Sequence, residues 1–216
     1  MALAIFDLDE TLIHGDCPSL WSKQMNRLGW VDSEFLKKDA ELMDAYGRGH
    51  LKMEDYMAFS LEPIAGRTPE EIEHLVEPWV EEFIEPIIFS DACKKIAEHR
   101  KAGDRILIIS ASGTHLVKPI AERLGVDEIL GIDLEIRNGV YTGNTVGTLT
   151  YREGKITRLL EWLDQEEENL EGAYFYSDSR NDLPLLSKVD HPNVVNPDPV
   201  LREHAEKAEW PIHQWA

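Results

Sequence analysis

The sequence predicts an α/β fold: a doubly wound, Rossmann-like parallel sheet with a small all-helical cap inserted after the first strand. Three observations predict it. The chain opens on a short apolar run, Ala2 to Phe6, that reads as a buried strand. Between Leu12 and Pro86 only helical signals occur. Beyond Pro86, strand and helix patterns alternate, as expected for a parallel sheet covered on both faces.

The first strand stops at Asp7-Leu8-Asp9-Glu10-Thr11. Residues i and i+2 of an extended chain face the same side, so Asp7 and Asp9 should share the carboxyl edge of the sheet, where open α/β folds bind ligands. Such close carboxylates repel unless a cation or a shared proton intervenes, and an oxygen-rich cluster suits a hard ion such as Mg²⁺. A first helix follows from Pro18 and ends at Gly29; a second runs from about Asp32 or Ser33 to Gly47, and a third from about Met53 to Ala65. The fourth has the clearest start: Thr68 as cap, Pro69 at the first helical position and Glu71 completing a capping box.

After Pro86, Ser90 is expected to cap a helix that Gly103 stops. Arg105 to Ile109 is a continuous apolar strand ending in the small turn Ser110-Ala111-Ser112-Gly113, with a helix from about Thr114 to Leu124. Ile129 to Ile136 and Val140-Tyr141 flank Asn138-Gly139, a strong hairpin signal. A helix from about Lys155 to Leu163, a strand from Ala173 to Ser177, a helix opening at Asp182, a short strand at Asn193 to Val195 and a helix from Pro199 to Ala208 complete the chain, with Trp210, Ile212 and Trp215 in the tail. The expected division is a core of residues 1–14 and 86–216 and a cap of residues 15–85.

Composition bounds the function. With 22 Lys and Arg against 41 Asp and Glu, the formal charge is −19, which argues against binding nucleic acid or an anionic membrane. Two cysteines, Cys17 and Cys93, make neither a disulfide framework nor a zinc pattern. No apolar run is long enough to span a bilayer and no signal peptide is evident, so a cytoplasmic location is expected.

Four polar stations fall at strand ends or helix starts: Asp7 with Asp9, Ser110 with the backbone of Ala111, Lys155, and Asp178 through Asp182. Taken singly, Ser110 could be a helix cap, Lys155 a surface residue and Asp178 a turn residue. Taken in this order, they resemble the four motifs of the haloacid dehalogenase-like superfamily of phosphohydrolases, over essentially the whole chain. The helical insertion is similar to the cap of its phosphoserine phosphatase branch. Ile13-His14-Gly15-Asp16 with Trp21, and Tyr56-Met57-Ala58-Phe59 with Leu61-Glu62-Pro63, resemble the subgroup that includes bacterial histidinol-phosphate phosphatases.

The resemblance implies a Mg²⁺-dependent phosphomonoester hydrolase acting on a small phosphorylated metabolite. Asp7 would attack phosphorus and form a phosphoaspartyl intermediate; Asp9 would protonate the leaving alkoxide and then activate water. It further implies Mg²⁺ held by Asp7, the backbone carbonyl of Asp9 and Asp178, with Asp182 supporting the metal or Lys155, and with Ser110 and the turn at Ala111 binding phosphate. The phosphoserine-specific pattern places an Arg in the cap to grip a carboxylate, yet Tyr56 to Ala65 contain no Arg or Lys. The cap carries sixteen acidic and seven basic residues. Asp16 and Glu62 are therefore candidates for contact with an amine or imidazolium on the substrate, groups that histidinol phosphate possesses. Alternatives are a phosphoserine phosphatase, a phosphotransferase on the same scaffold, and a non-catalytic metal-binding regulator. Trp21, Trp79 and Trp210 read as packing residues, and His14 and His115 lack a second ligand spaced for zinc.

Overall fold

A computed structural model describes residues 2–216. One seven-stranded sheet runs in the order β4-β3-β2-β1-β5-β6-β7. Its strands are β1 (Leu3–Phe6), β2 (Arg105–Gly113), β3 (Glu128–Arg137), β4 (Val140–Val146), β5 (Tyr174–Ser177), β6 (His191–Val195) and β7 (Ile212–His213). All neighbours pair in parallel except β3 and β4, which form the antiparallel hairpin. Its turn residues, Asn138 and Gly139, both have positive φ (53° and 79°), the geometry that favours Asn-Gly.

The helices are α1 (Cys17–Arg27), α2 (Ser33–Gly47), α3 (Met53–Leu61), α4 (Pro69–Trp79), α5 (Ser90–Ala102), α6 (Thr114–Arg123), α7 (Glu153–Gln165), α8 (Leu183–Leu186) and α9 (Pro199–Ala208). Strand periodicity divides the core between the two sheet faces. Ala4, Phe6, Ile106 and Ile108 join one cluster, and Leu3, Ile5, Leu107 and Ile109 the other. The first cluster continues into the helical insertion through Trp21, Met25, Tyr56 and Trp79. The inserted helices therefore share an apolar core with one face of the sheet.

Several boundaries differ from expectation for local reasons. The third helix ends at Leu61 and tightens into a 3₁₀ turn over Glu62–Ile64, since Pro63 has no N–H to continue the α pattern. Pro78 lies inside α4, which then widens into a π turn over Val80–Ile84. Ser90 is not a cap: Phe89 takes that position, and the Ser90 hydroxyl donates to the Ala216 carbonyl at 2.9 Å. Residues 110–113 are not a free turn but the end of β2, beyond a register shift against β3. The Ser110 hydroxyl oxygen accepts the Ser112 N–H at 3.0 Å there. β7 was not expected; its two residues add an edge beside β6. No helix among the described residues is long and apolar enough to cross a membrane.

Candidate active site

β1 lies at the centre of the sheet, and the chain leaving it carries the first two acids. The Asp7 N–H donates to the Tyr176 carbonyl at 2.9 Å, which extends the pairing with β5 by one residue. The chain then folds back: the N–H groups of Thr11, Leu12 and Ile13 all point to the Leu8 carbonyl, and Glu10 takes φ 56°. This turn brings the buried Thr11 hydroxyl under Asp7.

Lys155 is the centre of the charge arrangement. It is 2% exposed, and its Nζ donates to Asp7 Oδ1 at 2.7 Å and Asp182 Oδ2 at 2.8 Å. Ser177 Oγ also donates to Asp182 Oδ2, at 2.7 Å. Gly154 makes the placement possible, because a Cβ there would lie 2.0 Å from the Leu149 carbonyl oxygen. Burial lowers the Lys155 pKa, but the charges of Asp182 and Asp7 outweigh it and hold the ammonium well above its ordinary range.

Asp178 approaches the same point from the end of β5. The Thr11 hydroxyl lies 3.1 Å from Asp178 Oδ1 and 3.5 Å from Asp7 Oδ2, and it accepts the Asp178 N–H at 3.1 Å. A hydroxyl has one proton, so the two carboxylates compete for it. Burial, the largest cause, and the charges of neighbouring acids push both groups above the usual carboxylate range, although Lys155 pulls Asp7 and the Thr11 hydroxyl pulls Asp178 the other way. A hard cation would relieve that strain. No three His, Cys, Asp or Glu side chains among the described residues converge to hold an ion. Two carboxylates completed by carbonyl and water oxygens suit Mg²⁺, which keeps several waters.

Asp9 leans the other way, toward the inserted helices. Its Oδ1 accepts the Cys17 N–H at 2.7 Å, and its Oδ2 accepts from Ser112 Oγ at 2.7 Å and Ser110 Oγ at 3.3 Å. The Ser110 carbonyl in turn accepts from Thr150 Oγ1 at 2.5 Å. Asp16 caps α1 by accepting the Ser19 N–H at 2.8 Å. It lines a small cavity with Tyr46, Met53, Tyr56, Ala111 and Ser112, and no Lys or Arg reaches that wall. Burial and the nearby Asp9 charge push the Asp16 carboxyl up. Asp39, buried on α2, lies behind it, 3.5 Å from the Tyr56 hydroxyl. Glu62 is exposed, beside Gly143 on β4, and lines neither this cavity nor its neighbour.

The inserted helices are fastened across the site. Arg152 donates to the Gly49 carbonyl and, at 3.2 Å, to Asn181 Oδ1; the Asn181 amide reaches the Tyr46 carbonyl at 3.4 Å. Thus Asp7, Lys155, Asp178 and Asp182 are joined in one hydrogen-bonded network through Thr11 and Lys155, Asp9 and Ser110 belong to a second one beside it, Asp16 and Ala111 line the cap side, and Glu62 stands apart. Sequence reasoning missed Thr11, Ser112, Ser177 and Asp39. Thr11 sits within the first motif, and Ser112 was read only for its backbone. Asp39 carried no signal, since one acid on an acidic helix looks solvated.

Residues 4–187 match the family model of the haloacid dehalogenase-like hydrolases. A histidinol-phosphatase of Neisseria meningitidis is 38% identical over 215 residues, covering 97% of each chain. A crystal structure of a protein of unknown function from Bordetella pertussis superposes with a TM-score of 0.91 at 36% identity, over 98% of this chain and 97% of that one. A phosphoserine phosphatase solved as a phospho-aspartyl intermediate analogue shares the fold, with a TM-score of 0.72 at 20% identity, over 98% of this chain and 91% of that one. The chain belongs to the haloacid dehalogenase-like hydrolases and is a phosphatase.

Proposed function

We propose that this phosphatase hydrolyses the phosphomonoester of a small amino alcohol, histidinol phosphate, with Mg²⁺ bound and Asp7 as the nucleophile. The observation that carries the reading is the Lys155 bridge, a buried ammonium 2.7 Å from Asp7 and 2.8 Å from Asp182. It fixes one oxygen of Asp7 beside a cationic donor, where an anionic phosphoryl group needs neutralising before a carboxylate can approach. We assign residues 1–14 and 86–216 to the catalytic core and 15–85 to the cap.

Asp7, Asp178 and the Asp9 carbonyl would hold the ion, and Asp182 would support it through water while anchoring Lys155. Bound there, Mg²⁺ supplies charge neutralisation and alignment for the phosphoryl group. An Asp7 oxygen attacks phosphorus as the bond to the leaving oxygen breaks. Asp9 gives its proton to that oxygen, then takes one from the water that cleaves the phosphoaspartyl group, releasing phosphate and restoring Asp7. The Ser110 hydroxyl and the Ala111 N–H hold phosphoryl oxygens. The roles of Asp9 fit its position, tied to the cap by Cys17 and to the core by Ser110 and Ser112.

The Asp16 cavity supports the substrate. It offers a carboxylate and two tyrosines but no cation to grip a substrate carboxylate. The Neisseria relative is named as a histidinol-phosphatase. A charge-assisted contact between Asp16 and a substrate ammonium is worth about 1.5–3 kcal/mol. Phosphoserine carries that ammonium too, but it adds a carboxylate that Asp16 repels and that no cation on this wall grips, so phosphate release should favour histidinol phosphate over phosphoserine by about tenfold or more in kcat/KM, a ratio that Asp16→Asn should reduce. Chelation should abolish turnover and Mg²⁺ restore it. Equal rates on the two substrates would refute the substrate, and full activity of protein shown to be metal-free would refute the site.

A further inference from the structure

The space between the inserted helices and the catalytic acids is nearly closed. The cavity lined by Asp16, Tyr46, Tyr56 and Ser112 has room for about one water molecule, and its neighbour beside Trp21, Met25, Leu61 and Leu116 has no more. A phosphate ester therefore enters only when part of the cap lifts. Away from the chain crossings near Asp16 and Pro86, two sets of hydrogen bonds among the described residues join the inserted helices to the core. Beside α4 the tie is made by backbone: the Gly66 N–H donates to the Tyr141 carbonyl at 2.8 Å, and the Tyr141 N–H to the Arg67 carbonyl at 2.9 Å. At the turn between α2 and α3 it is made by core side chains instead.

The second tie stands on an unfavourable piece of backbone. Arg152 has φ 51° and ψ −123°, and the Gly154 N–H closes on the Tyr151 carbonyl at 2.9 Å. That is the conformation of the first central residue of a type II′ turn, a place glycine ordinarily fills. Other residues hold such a conformation only where their surroundings enforce it, and such places gather at functional sites. Here the side chain is engaged twice. The guanidinium donates to the Gly49 carbonyl through Nη2 and to Asn181 Oδ1 through Nε, the latter at 3.2 Å. The Tyr151 hydroxyl donates to the same Asn181 oxygen at 3.3 Å, and the Asn181 amide reaches the Tyr46 carbonyl at 3.4 Å. A rigid planar fork serves two acceptors in fixed directions, which an ammonium does not. The cap side is fitted to it: a Cβ on Gly49 would lie 3.0 Å from Arg152 Nη2.

We propose that Arg152 is a positioning residue for the phosphatase reaction, a latch that seats the α2–α3 turn over the bound substrate. Tyr46, near the end of α2, both offers its carbonyl to this tie and lines the Asp16 cavity, so the latched turn completes the wall that faces the substrate's alcohol. The α4 half of the cap stays on β4 through its backbone bonds, and the α2–α3 turn alone lifts to admit substrate. Glycine at position 152 would suit the turn but could not latch it, which is why an arginine is held there in a conformation that disfavours it.

The test uses Arg152→Gly and Arg152→Ala. Both remove the latch, and only glycine relieves the turn, so Arg152→Gly should melt above Arg152→Ala. Amide hydrogen exchange read by mass spectrometry should quicken about tenfold in both variants over residues 45–52, the scale of one charge-assisted hydrogen bond, while residues 69–79 keep the parent's rate. In both, kcat/KM for histidinol phosphate should fall about fivefold further than kcat/KM for acetyl phosphate, whose leaving group is too small to need the turn. The rate comparison rests on the substrate proposed above, whereas the exchange comparison needs no substrate. If the parent does not hydrolyse histidinol phosphate, the substrate proposal falls and exchange alone decides the latch. Unchanged exchange over residues 45–52, a quickening spread equally through residues 69–79, or an equal fall on both substrates would overturn it. Arg152→Ala melting at or above Arg152→Gly would overturn the reason given for an arginine at this position.

Discussion

Lys155 sits in the first turn of α7, where the helix dipole favours an anion by about 0.3–1 kcal/mol. It stays because two charged hydrogen bonds, each worth about 1.5–3 kcal/mol, outweigh that term. The same comparison explains why the sequence made Lys155 conspicuous: a residue placed against a local preference has a reason elsewhere in the chain. His115 shows the opposite limit. Nothing near it in sequence announces that its Nδ1 is shut away from water, although the residue as a whole is only half-buried. Burial lowers its pKa from the ordinary 6.5 to about 4. The unfolded chain therefore binds this proton first as pH falls, and the stability linked to neutral His115 is present above pH 6.5 and lost on the way down to about 4. Urea unfolding near pH 7 and near pH 5 should show a larger loss for the parent than for His115→Gln, by about 1 kcal/mol. Equal losses would mean that the ring titrates as it does in water.

At the scale of elements, the capping box before α4 is complete: the Thr68 hydroxyl accepts the Glu71 N–H at 3.1 Å, and Glu71 accepts the Thr68 N–H at 2.9 Å. Thr68→Ala should lower stability by about 1 kcal/mol in urea unfolding with little effect on KM, since the box lies on the outer cap. No measurable change would mean that the helix start is held by its packing alone. This element was fully legible, because caps and prolines act within a few residues. So were the continuous apolar strands and the Asn138-Gly139 hairpin. Less legible were features set by distant partners. The extension of β2 to Gly113 depends on β3, and β7 exists because Val194 and Val195 offer it an edge. The hairpin also reaches the inserted helices: Tyr141 exchanges hydrogen bonds with Gly66 and Arg67, a contact that no local pattern encodes.

Across the whole molecule, one crossover order gathers acids from chain positions far apart. Asp7 follows β1 at the middle of the sheet, Asp178 and Asp182 follow its neighbour β5, and Ser110 and Ser112 end its other neighbour β2. The motif residues were readable as strand ends, yet their pairing was not. Sequence alone placed Asp7 and Asp9 side by side, whereas the Asp9 carboxylate is turned to Cys17 and Ser112, since β1 ends at Phe6 and the chain beyond it is no longer extended. That separation gives the two acids distinct surroundings, one beside Lys155 and one beside the cap, which supports the separate nucleophile and acid–base roles proposed for them. The most direct test of those roles is to expose the Asp9→Asn variant to an aryl phosphate with Mg²⁺ and locate any phosphoryl group by peptide mass spectrometry. A good leaving group needs little protonation, so the variant should load the phosphoryl group onto Asp7 and then stall, because a side-chain amide in place of the Asp9 carboxylate cannot activate water. A phosphoryl group found on another residue, or a variant that turns over at the parent's rate without ever carrying one, would contradict the account.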